Sequence, residues 1–243
     1  MTINLMRMAF KNFATLEQFR AYLLQKDVDI SIANLSRYIN GKALPKSKLK
    51  EQLLSILVNN AELGLTIEQL IESHISVVQS ENNIAINNTH LLNDSKQLVA
   101  ILFIALRMNI IQQSMKKVLT AEVDGIPVGM ALARLLNIDC VYARRKKPIG
   151  TEKFYYADIY SHSSGRMDTL YLPEKFIRKG EPVLIIDDIV RSGATQRALA
   201  NLVEQAGGKA VGIVSIIGIG DHWKNLTEYN RIPIAVLKVY SQS

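Results

Sequence analysis

The stretch that most restricts the fold of this chain is V-L-I-I-D-D-I-V-R-S-G-A-T, Val183 to Thr195. Four aliphatic residues read as a buried strand, and a small-residue turn then runs into a helical segment, Thr195 to Ala206, that stops at Gly207 and Gly208. Around it the second half of the chain alternates short β-branched runs with helical ones. Strands are expected at 84–92, 117–122, 140–144, 183–187, 211–217 and 234–239, with helices at 94–106, 124–136 and 195–206. Phe154–Ser161 and Arg166–Leu172 read as an antiparallel pair joined across Ser163–Gly165. Strands separated by single helices imply right-handed parallel crossovers, hence an open, mainly parallel α/β sheet flanked by helices.

In such a sheet, ligands sit at the carboxyl ends of the strands. Asp187 and Asp188 are expected where the buried strand emerges there. Gly193 and Ala194 let the backbone approach a bound group. Ser192 and Thr195 offer hydroxyls, and the free N–H groups of the helix start favour a phosphate. Two acceptor-rich acids beside a phosphate cradle suit a ribose 5-phosphate, the acids taking the 2- and 3-hydroxyls and the 191–195 turn taking the phosphate. An acidic turn that merely caps a helix is the plainer alternative.

The first quarter is written differently. Residues 1–60 hold nine Lys/Arg against four Asp/Glu, most of the excess behind a net charge of +7. Apolar residues recur there at helical spacing, as in Phe19, Tyr22 and Leu23. The division expected is a helical domain over 1–60, a linker with a short helix over 61–82, and a ligand-binding domain over 83–243. The basic balance favours a polyanionic partner. Cys140 is the sole cysteine, so an intrachain disulfide is excluded and a reducing, cytoplasmic setting is expected. The longest apolar run, Leu98–Leu106, is too short to cross a bilayer. The histidines, His74, His90, His162 and His222, are scattered, and no metal-ligand cluster is visible.

From Val183 to Thr195 the chain resembles the type I phosphoribosyltransferase family, whose signature for 5-phosphoribosyl-1-pyrophosphate (PRPP) is this pattern. The resemblance covers roughly residues 80–240 and implies that Asp187, Asp188, Arg191, Ser192, Gly193, Ala194 and Thr195 bind PRPP or a nucleotide. The family's pyrophosphate loop matches E-V-D-G-I-P, with Asp124 and Gly125 at the turn, although that run alone fits any tight turn. Its basic strand end matches A-R-R-K-K, with Arg144 as the pyrophosphate contact, although that run also suits a solvated loop. The resemblance implies Mg²⁺ held mainly by the ligand's own oxygens and a mobile loop over 147–153. Trp223 either stacks a purine or packs against the fold.

The segment Ile159–Leu170 is similar to the corresponding region of bacterial purine repressors, with Ser163 where adenine-type enzymes carry an acid. Those repressors keep the PRPP site without transferase activity. In the first quarter, S-I-A-N-L-S-R-Y-I-N-G-K-A-L-P resembles the recognition helix of phage-repressor-type helix-turn-helix proteins. Ser31 would cap that helix, Asn34, Arg37 and Tyr38 would face DNA, and Lys42 and Lys46 would contact phosphates. A small helical lid or dimerisation domain is the alternative. The resulting expectation is a non-catalytic, homodimeric transcriptional regulator, binding double-stranded DNA and sensing PRPP or a purine nucleotide. The competing expectation is a working purine (or orotate-like) phosphoribosyltransferase with a helical N-terminal appendage.

Overall fold

A computed structural model describes residues 6–7, 9–10, 13–58, 68–80, 83–107, 115–147, 149–150, 153–161, 165–226 and 232–241. In chain order the elements are α1 (Leu16–Leu24), α2 (Ile32–Ile39), α3 (Ser47–Val58), β1 (Ser76–Ser80), β2 (Asn83–Asn87), α4 (Thr89–Asn93), α5 (Ser95–Arg107), β3 (Lys117–Ala121), α6 (Gly125–Leu136), β4 (Asp139–Ala143), β5 (Phe154–Ser161), β6 (Arg166–Pro173), β7 (Pro182–Val190), α7 (Ala194–Gln205), β8 (Lys209–Ile219) and β9 (Ile234–Tyr240). The chain divides into two compact units, Met1–Ser73 with Lys96–Asn109 and His74–Ser95 with Ile110–Ser243. No helix among the described residues is long and apolar enough to cross a membrane.

The first unit is helical. The Thr15 hydroxyl caps α1 by accepting from the Gln18 N–H at 3.2 Å, and the Ser31 hydroxyl caps α2 by accepting from the Asn34 N–H at 3.3 Å. Apolar residues at helical spacing turn inward, so Phe19, Leu23, Leu35 and Leu53 are fully buried. Phe13 packs its ring against Phe19 and Tyr22. Ser31, Asn34, Arg37, Lys42 and Lys46 are exposed and Tyr38 is half-buried.

The second unit is built on a five-stranded parallel sheet in the order β4-β3-β7-β8-β9. The chain enters at β3, moves out to β4, then returns past β3 to β7 and proceeds to β8 and β9. Right-handed crossovers in opposite directions place α6 and α7 on opposite faces. The central strands are therefore covered on both sides, and β3 is buried along its whole length. Leu119, Ile185, Leu199, Leu202 and Ile213 are among the core residues. The β5–β6 hairpin pairs antiparallel from Phe154↔Pro173 to Ser161↔Arg166.

Three elements differ from their sequence expectation, the first being β1, which pairs antiparallel with β2 inside the stretch expected as a linker. The strand expected over 84–92 ends at Asn87, and Thr89 begins a short helix. The β-branched and aliphatic residues that suggest a longer strand belong partly to that helix, which buries Leu91. Strand β7 does not end at Asp187 but runs to Val190. Its pairing with β3 stops at Ile185, whereas its pairing with β8 continues to Val190↔Gly218. The two acids thus leave the sheet on the β3 side only.

Candidate active site

The switch in strand order falls between β3 and β7, and open α/β sheets bind ligands at that crevice. A cleft of about 1020 Å³ opens there. One wall is the loop after β3, from Ala121 to Gly125. The other is the run from Asp187 to Gln196, with Ile84 and Ala85 of β2 at one side and Tyr160, Asp168 and Arg145 at another. Asp124, Gly125, Asp187, Asp188, Arg191, Ser192, Gly193, Ala194 and Thr195 all line it. Sixty-one residues of sequence, 126–186, separate the two walls, and the parallel pairing of β3 with β7 brings them face to face.

Each wall ends in a helix N-terminus. Helix α6 begins at Gly125 and α7 at Ala194, and both residues line the cleft; the Ile126 N–H donates to the Val123 carbonyl at 3.2 Å and the Ala194 N–H to the Ser192 hydroxyl at 3.4 Å. Gly193 precedes α7 at φ +77, a left-handed conformation that a Cβ disfavours. A Cβ on Gly125 would stand 2.1 Å from Thr120 Oγ1 and 2.9 Å from Asp187 Oδ1, so the backbone approach at that loop requires glycine. The Glu122–Val123 peptide within the loop is cis.

Between the helix starts lie the acids, both buried. Asp187 Oδ2 accepts from Gln196 Nε2 at 2.8 Å, and its Oδ1 accepts from the Asp188 N–H at 3.1 Å. Asp188 Oδ2 accepts from Asn88 Nδ2 at 2.5 Å. Burial above all, and then the neighbouring Asp188 charge, push the Asp187 carboxyl well above the usual carboxylate range. Arg191 donates through Nη2 to the Ile84 carbonyl at 2.9 Å, and burial lowers its pKa.

The basic strand end is arranged differently from the sequence expectation. Arg144 lies outside the cleft lining, where its Nε is 3.5 Å from Glu122 Oε2 and its backbone bridges to Tyr171. Arg145 lines the cleft instead, with Nη1 2.6 Å from Asp168 Oδ2 and its N–H donating to Glu122 Oε1. Alternation along the chain end sends these adjacent side chains apart, which the run A-R-R-K-K does not reveal. Asn88 and Gln196 also escape sequence reading, because a lone carboxamide has no motif. Trp223 packs into the core and donates through Nε1 to the Gly220 carbonyl at 2.8 Å. Ser163 lies outside the described residues, as do parts of the 147–153 loop.

The chain is thus an α/β protein with a parallel sheet flanked by helices, with two helix N-termini and an acid pair at its switch point. A family model described as the phosphoribosyl transferase domain matches residues 87–232, and the chain belongs to that family. A xanthine phosphoribosyltransferase from Lactobacillus helveticus is 36% identical over 106 residues, covering 43% of this chain and 55% of that protein. One from Staphylococcus carnosus is 33% identical over 106 residues, with the same coverage. The chain thus spans about half the length of the curated relatives it matches. An adenine phosphoribosyltransferase structure from Thermoanaerobacter pseudethanolicus superposes with a TM-score of 0.62 at 20% identity, over 72% of this chain and 99% of that one. At that identity the likeness concerns the fold.

These relatives overturn the expectation of a transcriptional regulator. They are named as metabolic transferases, so double-stranded DNA as a partner, a non-catalytic sensing role and the homodimer inferred from paired half-sites are all withdrawn. The physical reason lies in what the first unit shows. Ser31 is an ordinary helix cap, and Asn34, Arg37, Tyr38, Lys42 and Lys46 form the polar, basic outer side of a small helical unit whose core is Phe19, Leu23 and Leu35. A solvated face of this kind is what any surface helix carries.

Proposed function

We propose that the chain is a purine phosphoribosyltransferase, moving the 5-phosphoribosyl group from PRPP to a ring nitrogen of a purine with release of pyrophosphate. The observation that carries this reading is the pair of helix N-termini, Gly125 and Ala194, opening on one cleft with two buried acids between them. PRPP has that layout: an anion at each end and hydroxyls in the middle. The turn 191–195 and the start of α7 hold the 5-phosphate through N–H groups and the Ser192 and Thr195 hydroxyls. The acids hold the ribose hydroxyls. The Gly125 loop and the Arg145 guanidinium hold the pyrophosphate.

In the reaction the C1–oxygen bond to pyrophosphate breaks as the C1–nitrogen bond to the base forms, and cationic character develops at the sugar. The protein's task is to align both reactants and keep water away. Oxygen donors at the cleft suit a hard divalent cation such as Mg²⁺, and Glu122 and the exposed Asp124 are the carboxylates of the Gly125 loop. Mg²⁺ bound with PRPP beside Asp124 would supply charge neutralisation at the leaving pyrophosphate. The names of the sequence relatives favour a 6-oxopurine of the xanthine type as the base. The helices of the first unit are then an appendage to the transferase domain.

The test is incubation of the full chain with PRPP, Mg²⁺ and each of xanthine, guanine, hypoxanthine, adenine and orotate, with pyrophosphate release as the readout. Turnover with a purine is expected. No turnover with any purine would sink the reading.

A further inference from the structure

Beside the cleft a second cavity of about 470 Å³ runs between β5 and α7. Strand β5 gives it Tyr156, Asp158 and Tyr160, alternate residues that share one side of the strand, all exposed. Helix α7 gives it Ala194, Arg197, Asn201 and Gln205, spaced by three or four residues and so aligned along one stripe. Tyr160 and Ala194 also line the candidate active site, so the groove begins where the 191–195 turn ends. At the far end Gln205 Nε2 donates to the Tyr156 carbonyl at 2.9 Å.

The main chain of β5 adds donors to the groove. Tyr171 of β6 exchanges backbone bonds with Arg144, at 2.9 and 2.8 Å, so its peptide groups face away from β5. Tyr156 stands opposite Tyr171 and Asp158 opposite Thr169, and both therefore direct N–H and carbonyl away from β6, toward α7. Three arginines among the described residues line the two cavities, and two have acceptors: Arg145 the Asp168 carboxylate at 2.6 Å, Arg191 the Ile84 carbonyl at 2.9 Å. The Arg197 guanidinium, half-buried in the groove, has none among the described residues. Asp158, the carboxylate of the same groove, instead accepts from the Thr169 hydroxyl at 2.7 Å. A half-buried cation with its donors unspent, beside the Asp158 N–H and the Asn201 amide, calls for an anion. Side chains on a helix lean toward its N-terminus, so Arg197 reaches back from one turn along α7 toward Ala194 and the 191–195 turn.

We infer that this groove is a second anion site, taking the outer phosphate of a purine nucleoside 5′-diphosphate whose inner phosphate rests on the 191–195 turn. Arg197 holds the outer phosphate through its guanidinium, with the Asn201 amide and the Asp158 N–H beside it. The Asp158 carboxylate opposes the same charge and limits the affinity. Such a compound occupies the ribose and 5-phosphate positions of PRPP and competes with it. It differs from the product monophosphate by one phosphate, and Arg197 is the residue that reads the difference. This rests on the transferase reading, which places the 5-phosphate of PRPP on that turn.

The experiment is calorimetric titration of the full chain with PRPP, GMP and GDP, Mg²⁺ present, for the wild type, Arg197→Gln, Asp158→Asn and Arg145→Gln. GDP is expected to bind the wild type about fivefold more tightly than GMP, the worth of a charge-assisted contact at a partly exposed site. Arg197→Gln is expected to remove that difference while leaving GMP and PRPP within about twofold, which also reports that the variant is folded. Asp158→Asn should widen the difference, because the opposing charge is gone. Arg145→Gln should leave the ratio of GDP to GMP unchanged. A wild-type chain that binds PRPP but favours GDP no more than GMP overturns the inference alone, and so does a ratio that survives Arg197→Gln. A ratio lost in Arg145→Gln instead also overturns it, by seating the second phosphate at the Gly125 loop. A wild-type chain that binds neither PRPP nor GMP overturns the transferase reading and this inference together.

Discussion

Gly125 stands directly over Thr120. A Cβ added to the glycine would be 2.1 Å from the Thr120 hydroxyl oxygen, far inside contact distance, in a place where that hydroxyl is already buried without a hydrogen-bond partner among the described residues. The loop after β3 therefore rests on the penultimate residue of that strand with no room for a side chain at Gly125. Gly125→Ala is expected to displace the loop and to lower kcat/KM for PRPP by at least about a hundredfold, a 1 Å misplacement being enough for that. Adding Thr120→Ala removes the hydroxyl but leaves the Asp187 Oδ1 contact, so steady-state kinetics of the double variant should recover part of the loss. No recovery would place the constraint elsewhere.

At the other helix start, Gly193 has φ +77 and a Cβ there would meet the Leu226 side chain at 2.8 Å. Gly193→Ala is expected to cost about 1–2 kcal/mol from the left-handed backbone alone, with the contact adding to it. Thermal unfolding should show a fall of several degrees. Leu226→Ala in the same chain relieves the contact but not the backbone, so the midpoint should rise only part of the way back.

The raised pKa of Asp187 makes a signed prediction about pH. The folded chain holds that proton more tightly than the unfolded one, so the stabilisation is fully present below the ordinary aspartate value, about 4. It is lost as the pH rises through the raised folded value. Asp187→Asn, neutral at every pH, should remove this slope. Denaturant midpoints of the two chains, taken across that range, should converge at acid pH and separate in favour of the variant as the pH rises. Parallel curves would mean that Asp187 is ionised in the fold.

Trp223 is part of the packing rather than a stacking platform, because its ring is buried and its Nε1 is spent on the Gly220 carbonyl. Trp223→Phe is expected to cost roughly 1 kcal/mol of stability, the worth of that hydrogen bond. The KM for the purine base should not move. A rise in that KM with unchanged stability would return the indole to the base site.

Much of this protein follows from local chemistry that the sequence displays. The aliphatic run before Asp187, the small turn at 191–195 and the pair Gly207–Gly208 announce a strand, a tight turn into a helix and a helix stop, because each depends only on neighbours along the chain. The alternation of such units implies the parallel sheet. A basic, capped N-terminal helix is equally visible. Its meaning is not, since a solvated face and a DNA-reading face are built from the same residue types, and the relatives of the second unit had to decide between them. Tertiary structure alone decided that β7 keeps its pairing with β8 past the acids while losing β3, which opens the cleft on one side. It also decided that Arg145 rather than Arg144 lines that cleft, and that Asn88 and Gln196 donate to the acids. These depend on which strands lie side by side, and a hydrogen bond such as that of Asn88 to Asp188, one hundred positions apart, leaves no periodic trace in the chain.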